Sequence, residues 1–154
     1  GLSIPLVYNT GGYDSLEMLA LLDGVVDIYM PDMKYGDEAA GRKYSLVRDY
    51  PAVNQKAVLA MQGQVGDLIA DERGIAVRGL LVRHLVLPNA IASSKAILSF
   101  LAEKVSKQVY LNIMAQYHPA YQTSRFPELD RQVTHEEVFR VRAFAENLGL
   151  KRID

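Results

Sequence analysis

The stretch "VVDIYMPDMKYGD", residues 25–37, decides the fold because it changes from apolar to polar within a few residues. Its first half has the composition of a buried strand, and Pro31, Asp32, Lys34 and Gly36 follow in its second half. Alternation along an extended chain places Asp32 and Lys34 on the same side of the backbone. The stretch therefore predicts a buried strand that ends by presenting a carboxylate and an amine together.

Apolar runs alternate with helical segments on both sides of this strand. Three helix starts are indicated, by Asp14 or Ser15, by Pro51, and by Ser93 and Ser94. Thr134 with Glu137 forms a capping box for a further helix. The segment "LIADERGIAVRG", residues 68–79, predicts a hairpin with its turn at Gly74. Further strands are predicted in "IPLVY" (residues 4–8), "GLLVRHLVLPN" (79–89) and "QVYLNIMAQYH" (108–118).

Strands that alternate with helices imply parallel strands joined by right-handed crossovers, and so an α/β fold. About four such units are half of a closed eight-stranded barrel. The chain is thus either a small open α/β sheet or part of a barrel. We favour part of a barrel, because Gly1 leads almost at once into an apolar run and the chain reads as a fragment.

Composition limits the classes of function. The chain has 154 residues, 49% of them hydrophobic, which is typical of a globular core rather than a disordered segment. Lys and Arg number 17 against 18 Asp and Glu, with no basic patch, so we expect no nucleic-acid partner. No apolar run approaches the roughly 20 residues that span a bilayer, so we expect no membrane and a cytoplasmic location. Without cysteine, these residues form no disulfide and hold no thiolate-bound metal.

Polar side chains lie at or near the end of each predicted main strand. In a parallel α/β fold these ends share one face, where ligands bind. Amide, carboxylate, amine, guanidinium and imidazole groups together suit a polar, partly anionic ligand. The residues concerned are Asn9, Thr10, Asp32, Lys34, Arg83, His84, Gln116, Tyr117 and His118.

Each of these residues also has a plainer interpretation. Asn9 precedes a Gly-Gly pair and suits a turn, Asp32 and Lys34 suit a solvated turn after Pro31, and His118 suits a structural histidine. Arg83 is harder to dismiss, because it interrupts an apolar run and a buried guanidinium needs partners. His84 alternates to the opposite side of the strand from Arg83.

The order and spacing of these segments resemble the later half of radical S-adenosylmethionine (radical SAM) enzymes, in the branch of pyruvate formate-lyase activating enzyme. The resemblance rests on "DIYMPDMKYGD" (27–37), "VRHLVLPN" (82–89) and "YLNIMAQYHPAY" (110–121). In that branch a strand ends in Asp-x-Lys, the next carries an arginine five residues before a proline, and the last ends in Tyr-His. Here these are Asp32 with Lys34, Arg83 with Pro88, and Tyr117 with His118; Asn9–Gly12 resembles a further family segment.

The resemblance implies a fold and a cofactor. Residues 1–154 would be the C-terminal fragment of a radical SAM domain, part of a (β/α)6 TIM-like barrel with parallel strands, outer helices and one inserted β-hairpin. S-adenosylmethionine would lie across the strand ends, with its ribose hydroxyls and methionine portion contacted by Asn9, Asp32, Lys34, Arg83 and His118.

The resemblance also implies an activity of the longer parent protein. It would be an oxidoreductase that cleaves S-adenosylmethionine to a 5′-deoxyadenosyl radical, with a glycyl radical enzyme or another protein substrate as its partner. The family holds its [4Fe–4S] cluster with CxxxCxxC, and this chain has no cysteine. We therefore expect the cluster only in the parent, no metal ligand among these residues, and no activity of the fragment alone.

Two other classes of function fit the sequence. An α/β-barrel aldolase or lyase would use Lys34 as a Schiff-base amine, although the carboxylate of Asp32 favours the charged amine, which is not nucleophilic. A non-catalytic binding fragment is the second, and an open sheet edge would then lead to self-association.

Overall fold

A computed structural model describes residues 4–154, and its central feature is a sheet of mostly parallel strands. The strands are β1 (Val7–Thr10), β2 (Ile28–Pro31), β3 (Ile69–Ala70), β4 (Ala76–Leu85), β5 (Tyr110–Met114) and β6 (Arg152–Ile153). Five of them pair in parallel in the order β1-β2-β4-β5-β6. The sixth, β3, pairs antiparallel with β4 and forms the predicted hairpin, with Gly74 at φ +79°. The prediction of an α/β fold with parallel strands is confirmed.

The helices are α1 (Leu16–Leu21), α2 (Glu38–Ser45), α3 (Tyr50–Val65), α4 (Ser94–Phe100) and α5 (His135–Asn147). A π-helical turn, Leu101–Val105, extends α4. The capping box of α5 is present, because Thr134 Oγ1 accepts from the Glu137 N–H and the Glu137 carboxylate accepts from the Thr134 N–H. Among residues 4–154, no helix combines the length and apolarity that crossing a membrane requires.

The structure differs from the sequence-based expectations at several boundaries. The first strand is Val7–Thr10 rather than residues 4–8, because its ladder pairs Val7 with Ile28 and carries on to Pro31. Residues 37–50 are largely polar and no helix was predicted there, yet they contain α2, which Asp37 caps by accepting from the Ala40 N–H at 2.9 Å. The strand expected over residues 108–118 ends at Met114. A short final strand, β6, was not predicted.

The main hydrophobic core lies between the helices and one face of the sheet. Tyr29, Leu80, Val82, Leu111 and Ile113 face this core and are almost fully buried. Side chains that alternate with them point to the opposite face. That second face is only partly covered, since several of its side chains stay partly exposed: Met30, Leu81, Arg83, Tyr110, Asn112 and Met114.

Candidate functional site

Four of the five predicted ligand-binding residues meet on this second face, at the carboxyl ends of neighbouring strands. Arg83 lies on β4 and its Nε donates to Asp32 Oδ1 at 2.9 Å, just past the end of β2. Its Nη2 donates to Asn9 Oδ1 on β1 at 2.9 Å. Lys34 Nζ lies 2.5 Å from Asp32 Oδ2. The strand order places β2 between β1 and β4, so the guanidinium connects three neighbouring strands.

The charges of this site leave it positive. One carboxylate lies between two cations, and the side chains of Asp32 and Arg83 are only 15% and 27% exposed. Partial burial strengthens these ion pairs relative to a solvated pair. Arg83 thus has the partners that a half-buried guanidinium needs, and the cluster has the net charge to attract an anion.

His118 is not part of this network. It lies beyond the end of β5 and is exposed. Within residues 4–154 no hydrogen bond or ion pair of its side chain is recorded, so its contact with a ligand stays a prediction. Tyr117 beside it is turned towards the protein, and its hydroxyl donates to the carbonyl of Leu129 at 2.9 Å.

His84, on the other side of the sheet, fixes the backbone of Met33, which lies between Asp32 and Lys34. Its Nδ1 lies 2.7 Å from the carbonyl oxygen of Met33, and its Nε2 lies 2.8 Å from Ser94 Oγ. A carbonyl only accepts, so Nδ1 carries the proton and Nε2 accepts from the Ser94 hydroxyl. Burial lowers the pKa of His84, which keeps the ring neutral. The Met33 N–H in turn donates to the carbonyl of Arg83 at 2.8 Å.

Two side chains of α3 hold the same segment and the Gly-Gly loop. Asn54 Nδ2 donates to the carbonyls of Gly12 at 2.8 Å and Asp32 at 2.9 Å. The Tyr50 hydroxyl accepts from the Lys34 N–H at 2.9 Å and donates to the carbonyl of Gly11 at 3.2 Å. Burial raises the pKa of Tyr50, so the hydroxyl stays protonated and able to donate.

As a result of these contacts, the backbone N–H and C=O groups of residues 32–34 are hydrogen-bonded one after another. The Asp32 N–H donates to the carbonyl of Thr10 at 3.0 Å, and the groups that follow are held by Arg83, His84, Tyr50 and Asn54. A segment whose backbone is fixed in this way holds its side chains in one arrangement. The turn expected of Gly11-Gly12 is also present, with Gly12 at φ +77°.

Sequence reasoning missed Tyr50 and Asn54, although a signal for Asn54 exists. Asn54 shares the buried stripe of α3 with Ala57, Val58 and Met61, at the three- and four-residue spacing of a helix face. A polar residue in such a stripe needs a hydrogen-bond partner. Tyr50 carries no comparable signal, because a tyrosine at a helix start equally suits packing.

The Schiff-base alternative finds little support in this geometry. The Lys34 amine forms an ion pair with Asp32, and its side chain is 46% exposed. A Schiff-base lysine attacks with a free amine, so this ion pair would have to open before Lys34 could act in that way.

Comparison with known proteins relates the chain to part of an archaeal protein. No family model matches the chain. The chain is 32% identical over 152 residues to an uncharacterized protein, MJ0674, of the archaeon Methanocaldococcus jannaschii. The match covers 98% of this chain and 40% of that protein. The chain is therefore similar to one part of a considerably longer archaeal protein, whose name assigns no activity.

Proposed function

We propose that this chain is the S-adenosylmethionine-binding, C-terminal part of a radical SAM enzyme. Its fold would be part of a (β/α)6 barrel. The longer parent would be a cytoplasmic oxidoreductase of the pyruvate formate-lyase activating enzyme branch, with a glycyl radical enzyme or another protein as its substrate.

The observation that carries this proposal is the convergence of Asn9, Asp32, Lys34 and Arg83. The four residues come from three separate segments of the chain, around Asn9, around Asp32 with Lys34, and around Arg83, and the resemblance to radical SAM enzymes selects them through three motifs. Their side chains form one hydrogen-bonded network at the carboxyl edge of a parallel sheet. This edge is where α/β folds bind ligands.

The donor set fits S-adenosylmethionine. Lys34 and Arg83 supply two cations for the methionine carboxylate, and Asp32 holds both cations in place. The carboxylate of Asp32 keeps lone pairs that can accept from ribose hydroxyls. Asn9 accepts from Arg83 through Oδ1, so its amide nitrogen remains available to donate to the ligand. When bound and reduced, the cofactor would supply the 5′-deoxyadenosyl radical.

The roles of the chain's own residues follow from the geometry. Lys34 and Arg83 would bind the carboxylate, and Asp32 would orient the ribose. Tyr50, Asn54 and His84 would keep the segment that carries these groups from moving. No residue of this chain is assigned to hydrogen abstraction.

The residues do not fit the [4Fe–4S] cluster that the family requires. The chain has no cysteine, so any such cluster would be bound by residues outside it. We therefore derive no redox step from these residues and expect the chain alone to be inactive.

The non-catalytic alternative is favoured by a separate observation, the exposed apolar residues at the β1 edge of the sheet. Ile4, Leu6 and Val7 are 69%, 42% and 47% exposed. An unpaired edge of this kind promotes pairing with another chain. Sedimentation at increasing protein concentration tests it: self-association is expected, and a strict monomer at high concentration would oppose this alternative.

The main proposal is tested on the gene that encodes the chain. Sequencing the reading frame upstream of the codon for Gly1 should reveal CxxxCxxC, and the longer protein, purified without oxygen, should release 5′-deoxyadenosine from S-adenosylmethionine on reduction. A start codon immediately before Gly1 would contradict the proposal. So would a longer protein that is loaded with iron and sulfide yet releases no 5′-deoxyadenosine.

A further inference from the structure

A cavity of about 740 Å³ lies on the helix side of the sheet, away from the charged network. It is bounded by residues 86–96, which follow β4 and begin α4, and by one side of α5. Its lining includes Val86 and Leu98, which are almost fully buried, and Val141 and Phe144 of α5, which are partly exposed. A volume of this size is within the range of small-molecule sites, and its walls are mainly apolar.

The rim of the cavity is held in a strained conformation. Asn89, Ala90 and Ser93 all have positive φ, at 57°, 56° and 51°, and none of them is glycine. Such conformations persist where surrounding contacts enforce them, and they cluster at ligand-binding sites. The contacts are present here: the Asn89 N–H donates to Glu137 Oε1 at 2.7 Å, and the Ser93 hydroxyl donates to Asp37.

The acidic side chain of the cavity has no capacity left for a cationic ligand. Glu137 accepts from both terminal nitrogens of Arg131, at 2.8 and 2.9 Å, and from the backbone N–H groups of Asn89 and Thr134. These bonds lower the pKa of Glu137, with the bond from Arg131 as the largest cause. Its charge is therefore neutralised within the protein.

The basic side chains of the cavity are freer. Lys95 Nζ lies 5.5 Å from the ring centroid of Phe144, and no ion pair of Lys95 is recorded among residues 4–154. Arg140 pairs with Glu136, but both side chains are about 70% exposed, so the pair is easily exchanged for a ligand. The Ser94 hydroxyl donates to His84 and presents only lone pairs to the cavity, which disfavours an anion at that wall.

We propose that this cavity binds a small amphiphilic carboxylate, a molecule with a carboxylate group and an apolar chain or ring. The carboxylate pairs with Lys95 and Arg140, and the apolar body packs on Val141 and Phe144. This site is separate from the proposed S-adenosylmethionine site and does not depend on it.

Octanoate and octylammonium, which share a chain length and differ in charge, are the probes. In amide NMR spectra of the 154-residue chain, octanoate should shift residues 86–96 and 137–144 and leave the face around Arg83 unchanged. Lys95→Met keeps most of the side chain and removes the charge, and it should weaken octanoate binding at least fivefold. Lys56→Met, at an exposed position of α3 that does not line the cavity, is the matched control.

Three results would overturn the proposal. The first is octylammonium binding as tightly as octanoate, because the cavity would then recognise only the alkyl chain of the ligand and not its charge. The second is equal octanoate affinity in Lys95→Met and Lys56→Met. The third is the absence of shifts in residues 86–96 and 137–144, including the case in which shifts appear only on the open sheet face.

Discussion

Replacement of Asn54 by alanine tests the claim that α3 holds the site in place. The side chain is fully buried, and its amide donates to two carbonyls, those of Gly12 and Asp32. Leaving a buried carbonyl without its donor costs about 1–3 kcal/mol, and the Gly12 carbonyl loses the only donor recorded for it among residues 4–154. The Asp32 carbonyl keeps a weak contact with the Tyr50 hydroxyl at 3.4 Å.

The expected loss in the free energy of unfolding is about 1–3 kcal/mol, because two changes offset part of the cost of the lost hydrogen bonds: alanine favours a helix, and the substitution removes Asn54 Oδ1, which is buried without a hydrogen-bond partner among residues 4–154. Urea denaturation followed by circular dichroism measures this loss. Lys56→Ala, two residues on and exposed, is the matched control and should change stability by less than about 0.5 kcal/mol. A loss in Asn54→Ala below about 1 kcal/mol would refute the reasoning, since hydrogen bonds that anchor the site cannot be that weak.

Three further predictions concern stability. Gly12 and Gly74 share a positive φ, but a Cβ at Gly12 would lie 2.1 Å from the Asp32 carbonyl oxygen, whereas a Cβ at Gly74 would face open space. In urea denaturation, Gly74→Ala should therefore lower the free energy of unfolding by about 1–2 kcal/mol, and Gly12→Ala should lower it clearly more. Equal losses in the two variants would contradict the close approach at Gly12. Because burial lowers the pKa of His84, the unfolded chain takes up a proton on this ring at a higher pH than the folded chain does. Stability should therefore fall as the pH drops below about 6.5, with a slope of up to ~1.4 kcal/mol per pH unit, and His84→Gln should remove this slope. An unchanged slope in that variant would argue against a buried neutral ring. Thr134→Ala should lose about 1 kcal/mol in thermal or urea unfolding through the α5 capping box, and no loss would mean that the box does not stabilise the helix.

Part of the site could be predicted because its signals are local. Arg83 interrupts an apolar run, so a need for partners was visible, and those partners are Asp32 and Asn9. Alternation placed Asp32 and Lys34 on one side of the chain, and they form an ion pair. His84 was expected on the opposite side of β4 from Arg83, and it is buried there.

Other features depend on long-range contacts that no local pattern reveals. The second helix is short and polar, and its cap at Asp37 gives little signal without a hydrophobic stripe. Tyr50 reaches the site only because α3 packs beside the ends of β1 and β2. The two-residue strand β6 forms through pairing with β5, so its own sequence is too short to indicate it.

Binding of S-adenosylmethionine to the chain is the measurement that tests the central claim most directly. Amide NMR spectra should be recorded with millimolar S-adenosylmethionine and, in parallel, with adenosine, which lacks the methionine carboxylate. The account predicts shifts at residues 9–12, 32–34 and 83, and affinity for S-adenosylmethionine at least fivefold lower in Arg83→Met than in Lys56→Met. Adenosine should bind these two variants equally. An absence of shifts at these residues, or equal S-adenosylmethionine affinity in the two variants, would contradict the account.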